Sequence, residues 1–227
     1  MDPYKEELLA FLSEYISENR RAKIEQIAQE RTRYLSIAVE DIYQPHNASA
    51  VMRSAECFGI QDVHVVENKN KYKPSKEITK GANNWLTMHH YNAEENNTQA
   101  CIRSLKEQGY RIVATTPHEK HSMIDKLDVS KGKVALFFGT ELEGISDEVR
   151  DGADELVRIP MYGFTESFNI SVSAAICLYQ LTMQLRNSNI KWQLSPEEIL
   201  DLKLEWVKNS IKSVELIEDE FRKRRGL

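Results

Sequence analysis

The chain has 227 residues, 41% of them hydrophobic and 29% charged, which is enough for one large domain with a buried core and helical additions. Thirty Lys and Arg residues against 35 Asp and Glu give a formal net charge of −5. This balance excludes a protein that coats nucleic acid through bulk positive charge, although it is compatible with a local basic site.

The cysteines and the apolar runs indicate a soluble protein of the cytoplasm. Cys57, Cys101 and Cys177 are odd in number and far apart, which fits neither a disulfide framework nor a CxxC metal site. No apolar run reaches the length of about 18 residues that a membrane span requires. The acidic N-terminus MDPYKEELL also lacks the layout of a signal peptide.

Hydrophobic periodicity and turn residues predict the secondary structure in chain order. The predicted elements are two helical pieces over 4–31, a strand over 34–39, a helix over 48–58, a strand over 62–66, a helix over 96–108, strands over 111–115, 133–138 and 155–159, a helix over 168–186 and a long helix over 196–225. Gly59 and Gly109 stand where helices should end, and Ser195 before Pro196 predicts a helix start. The polar stretch 67–76 predicts a mobile surface loop.

Strands that alternate with helices predict an α/β domain with a largely parallel sheet covered on both faces, flanked by helical extensions at both ends of the chain. Ligands of such sheets bind at the carboxyl ends of the strands. The loops that follow Val39, Thr115, Phe138 and Ile159 are therefore the places to search for a site.

Several common signatures are missing from the sequence. It contains no G-x-G-x-x-G, no G-x-x-x-x-G-K-[ST], no G-x-S-x-G and no H-E-x-x-H. His118 and His121 form an HxxH, but no third ligand lies near them, and the adjacent His89 and His90 point to opposite faces if they lie on a strand. We therefore expect no metal.

The stretch PHNASAVMRSAECFG at 45–59 holds the first pair of candidate residues. Asn47 is placed to cap the helix, and Arg53 follows six residues later, so both could face one site. A capping asparagine with an unrelated surface arginine explains the same pattern.

Two later stretches place polar residues after predicted strands. In FFGTELEGIS at 137–146, Gly139 permits close backbone approach to a ligand and Glu141 can accept hydrogen bonds, although a plain strand-to-helix loop has the same form. In RIPMYGFTESFNISVSAAICLY at 158–179, Ser167 or Asn169 can cap a helix whose first N–H groups then face a carboxylate or phosphate. A tightly packed core helix is the alternative there.

Together, in this order and spacing, the three stretches resemble the motifs of the SpoU or TrmH branch of the SPOUT RNA methyltransferases. The shared patterns are N-x-x-x-x-x-R in HNASAVMR, G-x-E-x-x-G in GTELEG, and IPM followed by S-x-N-x-S in SFNIS. KGANNWL at 80–86 and LEWVKNSIK at 204–212 are similar to the tRNA guanosine 2′-O-methyltransferase subgroup. The resemblance covers roughly residues 34–186 and implies methyl transfer from S-adenosylmethionine to a ribose 2′-hydroxyl, here of guanosine 18 in tRNA.

The resemblance also implies a deep trefoil knot in the C-terminal part of the domain, with the cofactor bound there mainly by backbone groups. By position the contributors are Thr115, Gly139, Ile159, Met161 and Phe168; the last departs from the leucine that is common in the family. The implied catalytic residues are Arg53, Asn47, Glu141, Ser167 and Asn169. Arg53 would activate the hydroxyl or clamp an RNA phosphate, and the sequence does not separate the two roles.

The remaining expectations concern partners and domain organisation. Basic residues in the N-terminal extension are predicted to contact tRNA: Arg20, Arg21, Lys23, Arg31 and Arg33. The resemblance implies a homodimer with active sites across the interface. The predicted domain organisation is an extension at 1–33, a methyltransferase domain at 34–186 and an extension at 187–227. The alternatives are the same chemistry on ribosomal RNA, a non-catalytic RNA-binding factor, and an unrelated nucleotide-binding enzyme.

Overall fold

The computed structural model of the protein describes residues 2–73, 81–117, 122–140 and 143–226. The chain forms two compact units. One is Thr32–Trp192, and the other combines Met1–Arg31 with Gln193–Leu227. The two terminal extensions, which were predicted as separate segments, therefore belong to one unit.

The larger unit is built on a seven-stranded sheet in which each named strand pairing is parallel. In chain order the strands are β1 Leu35–Glu40, β2 Asp62–Val66, β3 Thr87–Tyr91, β4 Arg111–Thr115, β5 Ser122–Met123, β6 Val134–Phe138 and β7 Glu155–Arg158. Their spatial order is β3-β2-β1-β6-β4-β7-β5. The predicted α/β class with a parallel sheet is confirmed, and β3 and β5 are strands that hydrophobic periodicity did not predict.

Helices cover both faces of the sheet. In chain order they are α3 Pro45–Cys57, α4 Asn97–Glu107, α5 Asp147–Gly152 and α6 Ile170–Arg186. The two helices that precede them, α1 Pro3–Ser13 and α2 Glu18–Ala28, belong to the other unit. Successive strand side chains point to opposite faces, so Ile37 packs into the core beside α3 and α6 while Ala38 packs into the core beside α4 and α5. Every residue of β1 is buried, as expected for a central parallel strand.

The structure corrects the predicted start of α3. Asn47 does not cap this helix but lies in its first turn, because the helix begins at Pro45 and Gln44 is the N-cap residue. Proline is favoured in the first turn since its missing N–H has no helical partner there. Gly59 adopts φ 76° after the helix, which fits its predicted role in ending it.

The smaller unit is a bundle of four helices, namely α1 Pro3–Ser13, α2 Glu18–Ala28, α7 Pro196–Asn209 and α8 Val214–Arg224. The two predicted N-terminal pieces are confirmed. The prediction of a single long helix over 196–225 is wrong. The helix is interrupted between α7 and α8, where Ser213 adopts φ 54°. The predicted start at Ser195 is confirmed by a capping box with Glu198.

One histidine of the sheet is buried, which disfavours its charged form. His64 on β2 is 1% exposed and stacks on His89 of β3 with ring centroids 4.6 Å apart. Its Nδ1 lies 3.1 Å from the Tyr91 hydroxyl. Burial, and then the neighbouring His89, lower the pKa of His64 from 6.5 to about 3, while Asp62 acts in the opposite direction.

This burial predicts a pH-dependent stability. Between about pH 4.5 and 6.5 the unfolded chain protonates His64 and the folded chain does not, so the free energy of unfolding should rise with pH by up to about 1.4 kcal/mol per unit. The substitution His64→Gln should flatten the rise, whereas His46→Gln at an exposed position should not. Urea denaturation across this pH range measures the effect, and an unchanged slope in the His64 variant would contradict the interpretation.

Candidate functional site

A pocket opens at the carboxyl ends of β4, β6 and β7, where the parallel sheet leads us to expect ligands. Its described lining is Thr115, Thr116, Pro117, Phe138, Gly139, Thr140, Gly144, Arg158, Ile159, Met161, Ser167, Phe168, Ile170 and Ser173. The lining combines hydroxyl groups, exposed backbone and apolar side chains, which is the composition of a small-molecule site.

The five residues predicted to hold a cofactor all line this one pocket. Thr115 ends β4, Gly139 follows β6, and Ile159, Met161 and Phe168 come from the segment between β7 and α6. They are brought together because β4 lies between β6 and β7 in the sheet. Their role in binding stays a prediction, and their placement in one pocket is a finding.

Position 139 must be a glycine because the backbone of Gly144 lies against it. A Cβ atom on Gly139 would lie 1.9 Å from the carbonyl oxygen of Gly144. The N–H of Thr140 donates to the Gly144 carbonyl at 2.8 Å, and the N–H of Gly144 donates back to Thr140 at 3.1 Å. The sequence suggested that Gly139 leaves room for a ligand, but in the structure that room is occupied by the backbone of the same loop.

The pocket also contains residues that sequence reasoning missed. Arg158 is half-buried at the end of β7 and is the charged side chain among the described lining residues. Thr116 and Ser173 add hydroxyl groups. A usable signal for Arg158 was present, since it directly precedes IPM at the carboxyl end of a predicted strand.

Asn47 and Asn169, which are 122 residues apart in sequence, meet beside the pocket. The Asn169 side-chain amide donates to Asn47 Oδ1 at 3.1 Å, and Asn169 Oδ1 accepts from the backbone N–H of Ser171 at 2.8 Å. Of the two candidate caps for α6, Asn169 is therefore the N-cap residue and Ser167 is not. Asn47 is almost fully buried and also donates to the Gln44 side chain at 3.2 Å.

Arg53 lies less than two helical turns after Asn47 on α3. It is exposed on α3 and is absent from the described lining of the pocket. Six residues of helix place it about 9 Å along the axis from Asn47 and about 120° around it. The expectation that Asn47 and Arg53 face one site stays a prediction. Glu141 lies outside the described residues.

The predicted RNA-contact residues do not behave as one group. Arg20, Arg21 and Lys23 are exposed on α2. Arg31 is fully buried, with its guanidinium carbon 5.1 Å from the ring centre of Trp206, so the prediction is wrong for Arg31. The Arg33 Nε atom lies 2.9 Å from the buried Asp62 carboxylate, which makes this side chain part of the fold.

Two consecutive acidic residues at the end of β1 also serve the fold. The Glu40 carboxylate accepts from the hydroxyls of Thr98 at 2.5 Å and Ser146 at 2.8 Å. Asp41 Oδ1 accepts from three successive backbone N–H groups, those of residues 68–70, at 2.7–3.0 Å. The Asp41 contacts fix the backbone of residues 68–70, at the start of the predicted surface loop.

Neither a metal site nor a membrane span is found in the parts of the chain that the structure describes. No group of three or more His, Cys, Asp or Glu in the described ranges is placed to hold a metal ion. The HxxH histidines, His118 and His121, lie outside those ranges. No described helix is long and apolar enough to cross a membrane.

Comparison with known proteins places the chain in a family. Residues 34–179 match the model of the SpoU rRNA Methylase family. The chain belongs to this family. A tRNA (guanosine(18)-2′-O)-methyltransferase from Borreliella burgdorferi is 42% identical to it over 93% of the chain and 94% of that relative. A tRNA (guanosine(18)-2′-O)-methyltransferase from Thermus thermophilus is 29% identical over 85% of this SpoU-family chain and 97% of its own.

Solved structures share the fold of this family member. The TrmH/SpoU tRNA modifying enzyme of A. aeolicus aligns with a TM-score of 0.76 and 27% identity, over 86% of this chain and 98% of that one. The SpoU methyltransferase AviRb of Streptomyces viridochromogenes, in complex with the cofactor AdoMet, aligns with a TM-score of 0.61 and 21% identity, over 72% of this chain and 65% of that one.

A relative that acts on ribosomal RNA also matches in sequence. A 23S rRNA (guanosine-2′-O-)-methyltransferase of Escherichia coli is 29% identical over 65% of this chain and 59% of that protein.

The close contact at Gly139 predicts that this position accepts only glycine. Gly139→Ala should lower the free energy of unfolding by about 3 kcal/mol, because its Cβ meets backbone that cannot move without opening the loop. Gly163→Ala is the matched control, since the nearest atom to its Cβ lies 4.0 Å away. Urea denaturation of both variants measures the difference, and equal stabilities would contradict the described loop geometry.

The cap of α6 generates a second prediction. Asn169→Ala removes the oxygen that accepts from the Ser171 N–H and should cost about 1 kcal/mol of folding stability. Asn169→Asp keeps that acceptor but loses the amide that donates to Asn47 Oδ1, so its stability should lie between those of the alanine variant and the wild type. Thermal or urea unfolding separates the variants, and an aspartate variant as unstable as the alanine variant would show that the cap is not the main contribution.

Proposed function

We propose that the protein transfers a methyl group from S-adenosylmethionine to the ribose 2′-hydroxyl of guanosine 18 in tRNA. The observation that carries the proposal is the 42% identity, over 93% of the chain, to a relative named for that reaction. The pocket supports it independently, because it gathers the positions that the family motifs assign to the cofactor. Ser167 lies in the same pocket, and Asn169 anchors the loop beside it.

The alternatives have less support. The ribosomal RNA methyltransferase of E. coli matches over only 59% of its length, whereas the Borreliella tRNA enzyme matches over 94%. The ribosomal RNA alternative is therefore not favoured. A non-catalytic RNA-binding factor would have no need to keep Arg53, Asn47, Ser167 and Asn169 together with the cofactor positions.

The pocket residues fit S-adenosylmethionine. Ile159, Met161 and Phe168 offer apolar surface for a purine, and the threonine hydroxyls and strand-end backbone offer polar contacts. Residues 161–168 make no hydrogen bond with any other described residue. The bound cofactor supplies an electrophilic methyl group on a sulfonium.

The chain's own residues must align the ribose hydroxyl and deal with its proton. We propose that Arg53 contacts the reacting ribose or its phosphate, either stabilising developing oxyanion charge or accepting the proton. Because a guanidinium stays protonated in proteins, a base role requires an unusual environment. We assign Asn47, Ser167 and Asn169 to positioning around the pocket, and Glu141 to the same group through the family motif alone.

We propose that the protein is a homodimer in which each Arg53 serves the pocket of the partner. Arg53 is exposed and is not among the described lining residues of its own pocket, so a second copy is the simplest way to bring it there. The neighbouring α6 helix leaves Val172, Tyr179 and Met183 43–57% exposed. Tyr179 lies 6.3 Å from the ring of Phe58 next to α3, so this apolar surface extends across both helices.

We further propose that the segment after β7 threads the trefoil knot of the family. The segment passes the ends of β4 and β6, where it lines the pocket, and then enters α6. The Gln184 side chain of α6 donates to the backbone carbonyl of Asp125 at 2.9 Å. A late part of the chain therefore lies against the earlier connection between β4 and β6, as a threaded segment requires.

We propose that Arg20, Arg21 and Lys23 of the smaller unit contact the tRNA backbone. They are exposed and clustered on one short helix. The basic C-terminal residues are weaker candidates, since Arg222 pairs with Asp219 at 2.9 Å and Arg224 pairs with Glu220 at 2.6 Å. The free thiols of Cys57, Cys101 and Cys177 are consistent with our proposal of a cytoplasmic protein.

A methylation assay tests the function directly. The protein is incubated with labelled S-adenosylmethionine and a tRNA transcript, and the modified nucleotide is mapped. We expect one 2′-O-methylated guanosine at position 18, and no product from a transcript with a 2′-deoxyguanosine there. Labelling confined to ribosomal RNA would overturn the choice of substrate, and labelling of neither RNA would overturn the enzymatic function.

The Arg53→Lys and Arg53→Ala variants extend the test. Both should lose methylation by about a hundredfold or more, because lysine cannot reproduce the bidentate geometry of a guanidinium. Cofactor affinity, measured by calorimetry, should stay near wild type, since Arg53 is not among the described lining residues of its own pocket. Retained activity in Arg53→Lys would show that a positive charge alone is sufficient.

A further inference from the structure

The loop between β7 and α6 places two aromatic side chains in water. Tyr162 and Phe164 expose 97% and 108% of their reference areas. Each ring presents a large apolar surface whose burial would be favourable, and the isolated chain does not gain that burial. Two such residues, separated by one glycine, indicate that the loop contacts another molecule when the protein functions.

Tyr162 and Phe164 lie in the chain between two residues that line the pocket. Met161 and Ser167 line it and bracket the aromatic pair in sequence. Chain geometry keeps the Cα atom of Phe164 within about 11 Å of the Cα atoms of both lining residues. The loop ends on Asn169, which is held by its bond to Asn47. The rings therefore stand on a loop whose flanking residues on both sides line the pocket.

The surroundings of the rings favour a nucleobase over a protein surface. Gly163 separates the two aromatic residues, and the polar Thr165 and Glu166 separate them from Phe168, which is 42% exposed, so aromatic and non-aromatic residues alternate along the loop. A continuous apolar surface is instead present on α6, at Tyr179 and Met183. Isolated aromatic rings among small polar residues are typical of surfaces on which single-stranded bases stack.

We propose that Tyr162 and Phe164 form a stacking platform for the base of the nucleotide that is methylated. This inference rests on the proposed function and adds the way in which the target nucleotide is held. A ribose reaches a pocket at the end of a sheet only when its nucleotide leaves the RNA stack, and stacking on an aromatic ring offsets the lost base contacts. The platform is indifferent to the identity of the base, so the specificity for guanosine comes from other contacts.

The test uses the full-length protein and a tRNA transcript. The double variant Tyr162→Ala with Phe164→Ala should bind tRNA about tenfold or more weakly and lose kcat/KM by a similar factor. Tyr162→Phe and Phe164→Tyr keep a flat ring and should stay within about twofold of wild type. Leu216→Ala is the control, because Leu216 is 71% exposed in the other unit.

A fluorescent base reports the stacking itself. 2-Aminopurine at position 18 should be quenched on binding wild-type protein and remain bright with the double alanine variant. Cofactor affinity and sedimentation should be unchanged in every variant.

Normal tRNA binding by the double alanine variant would overturn the inference, as would ring-retaining variants that are as weak as the alanine variants. Dissociation of an oligomer would assign the rings to a protein interface and would overturn it as well. A wild-type protein that methylates no tRNA would refute the proposed function, whereas an active wild type with a fully active double variant would refute only the platform.

Discussion

The parallel pairing of β4 with both β6 and β7 is the constraint on which the site depends. Parallel strands all end at one edge of the sheet, so adjacent strands bring their following loops together. Thr115, Gly139 and Ile159 belong to three different loops and line one pocket for this reason. A change in strand order would leave the same residues in place along the chain and separate them in space.

The pocket is held by backbone geometry and by one long-range contact. The backbone of Gly144 lies so close to Gly139 that a Cβ atom on Gly139 does not fit, and its hydrogen bonds with Thr140 fix one wall. The Asn47–Asn169 bond links the starts of α3 and α6, two helices that pack side by side on one face of the sheet. The loop between β7 and α6, which carries the aromatic residues, forms another side of the pocket.

Residue type alone did not separate functional groups from structural ones. Arg31 stacks over Trp206 and Arg33 pairs with Asp62, so both are used by the fold, whereas Arg53 is exposed. Glu40, at the end of a central strand, has the position of a catalytic acid but is saturated by hydroxyl donors. Burial and available partners decide between the two uses, and both are properties of the folded chain.

The sequence by itself determined the fold class, most helices and strands, and the three motif stretches, because hydrophobic periodicity and capping residues are local signals. It did not identify β3, whose five residues are only partly buried, or the break before α8. Tertiary structure alone decided that Asn47 meets Asn169 and that the five predicted cofactor positions line one pocket. Contacts across more than a hundred residues depend on strand order and helix packing, which no local pattern encodes.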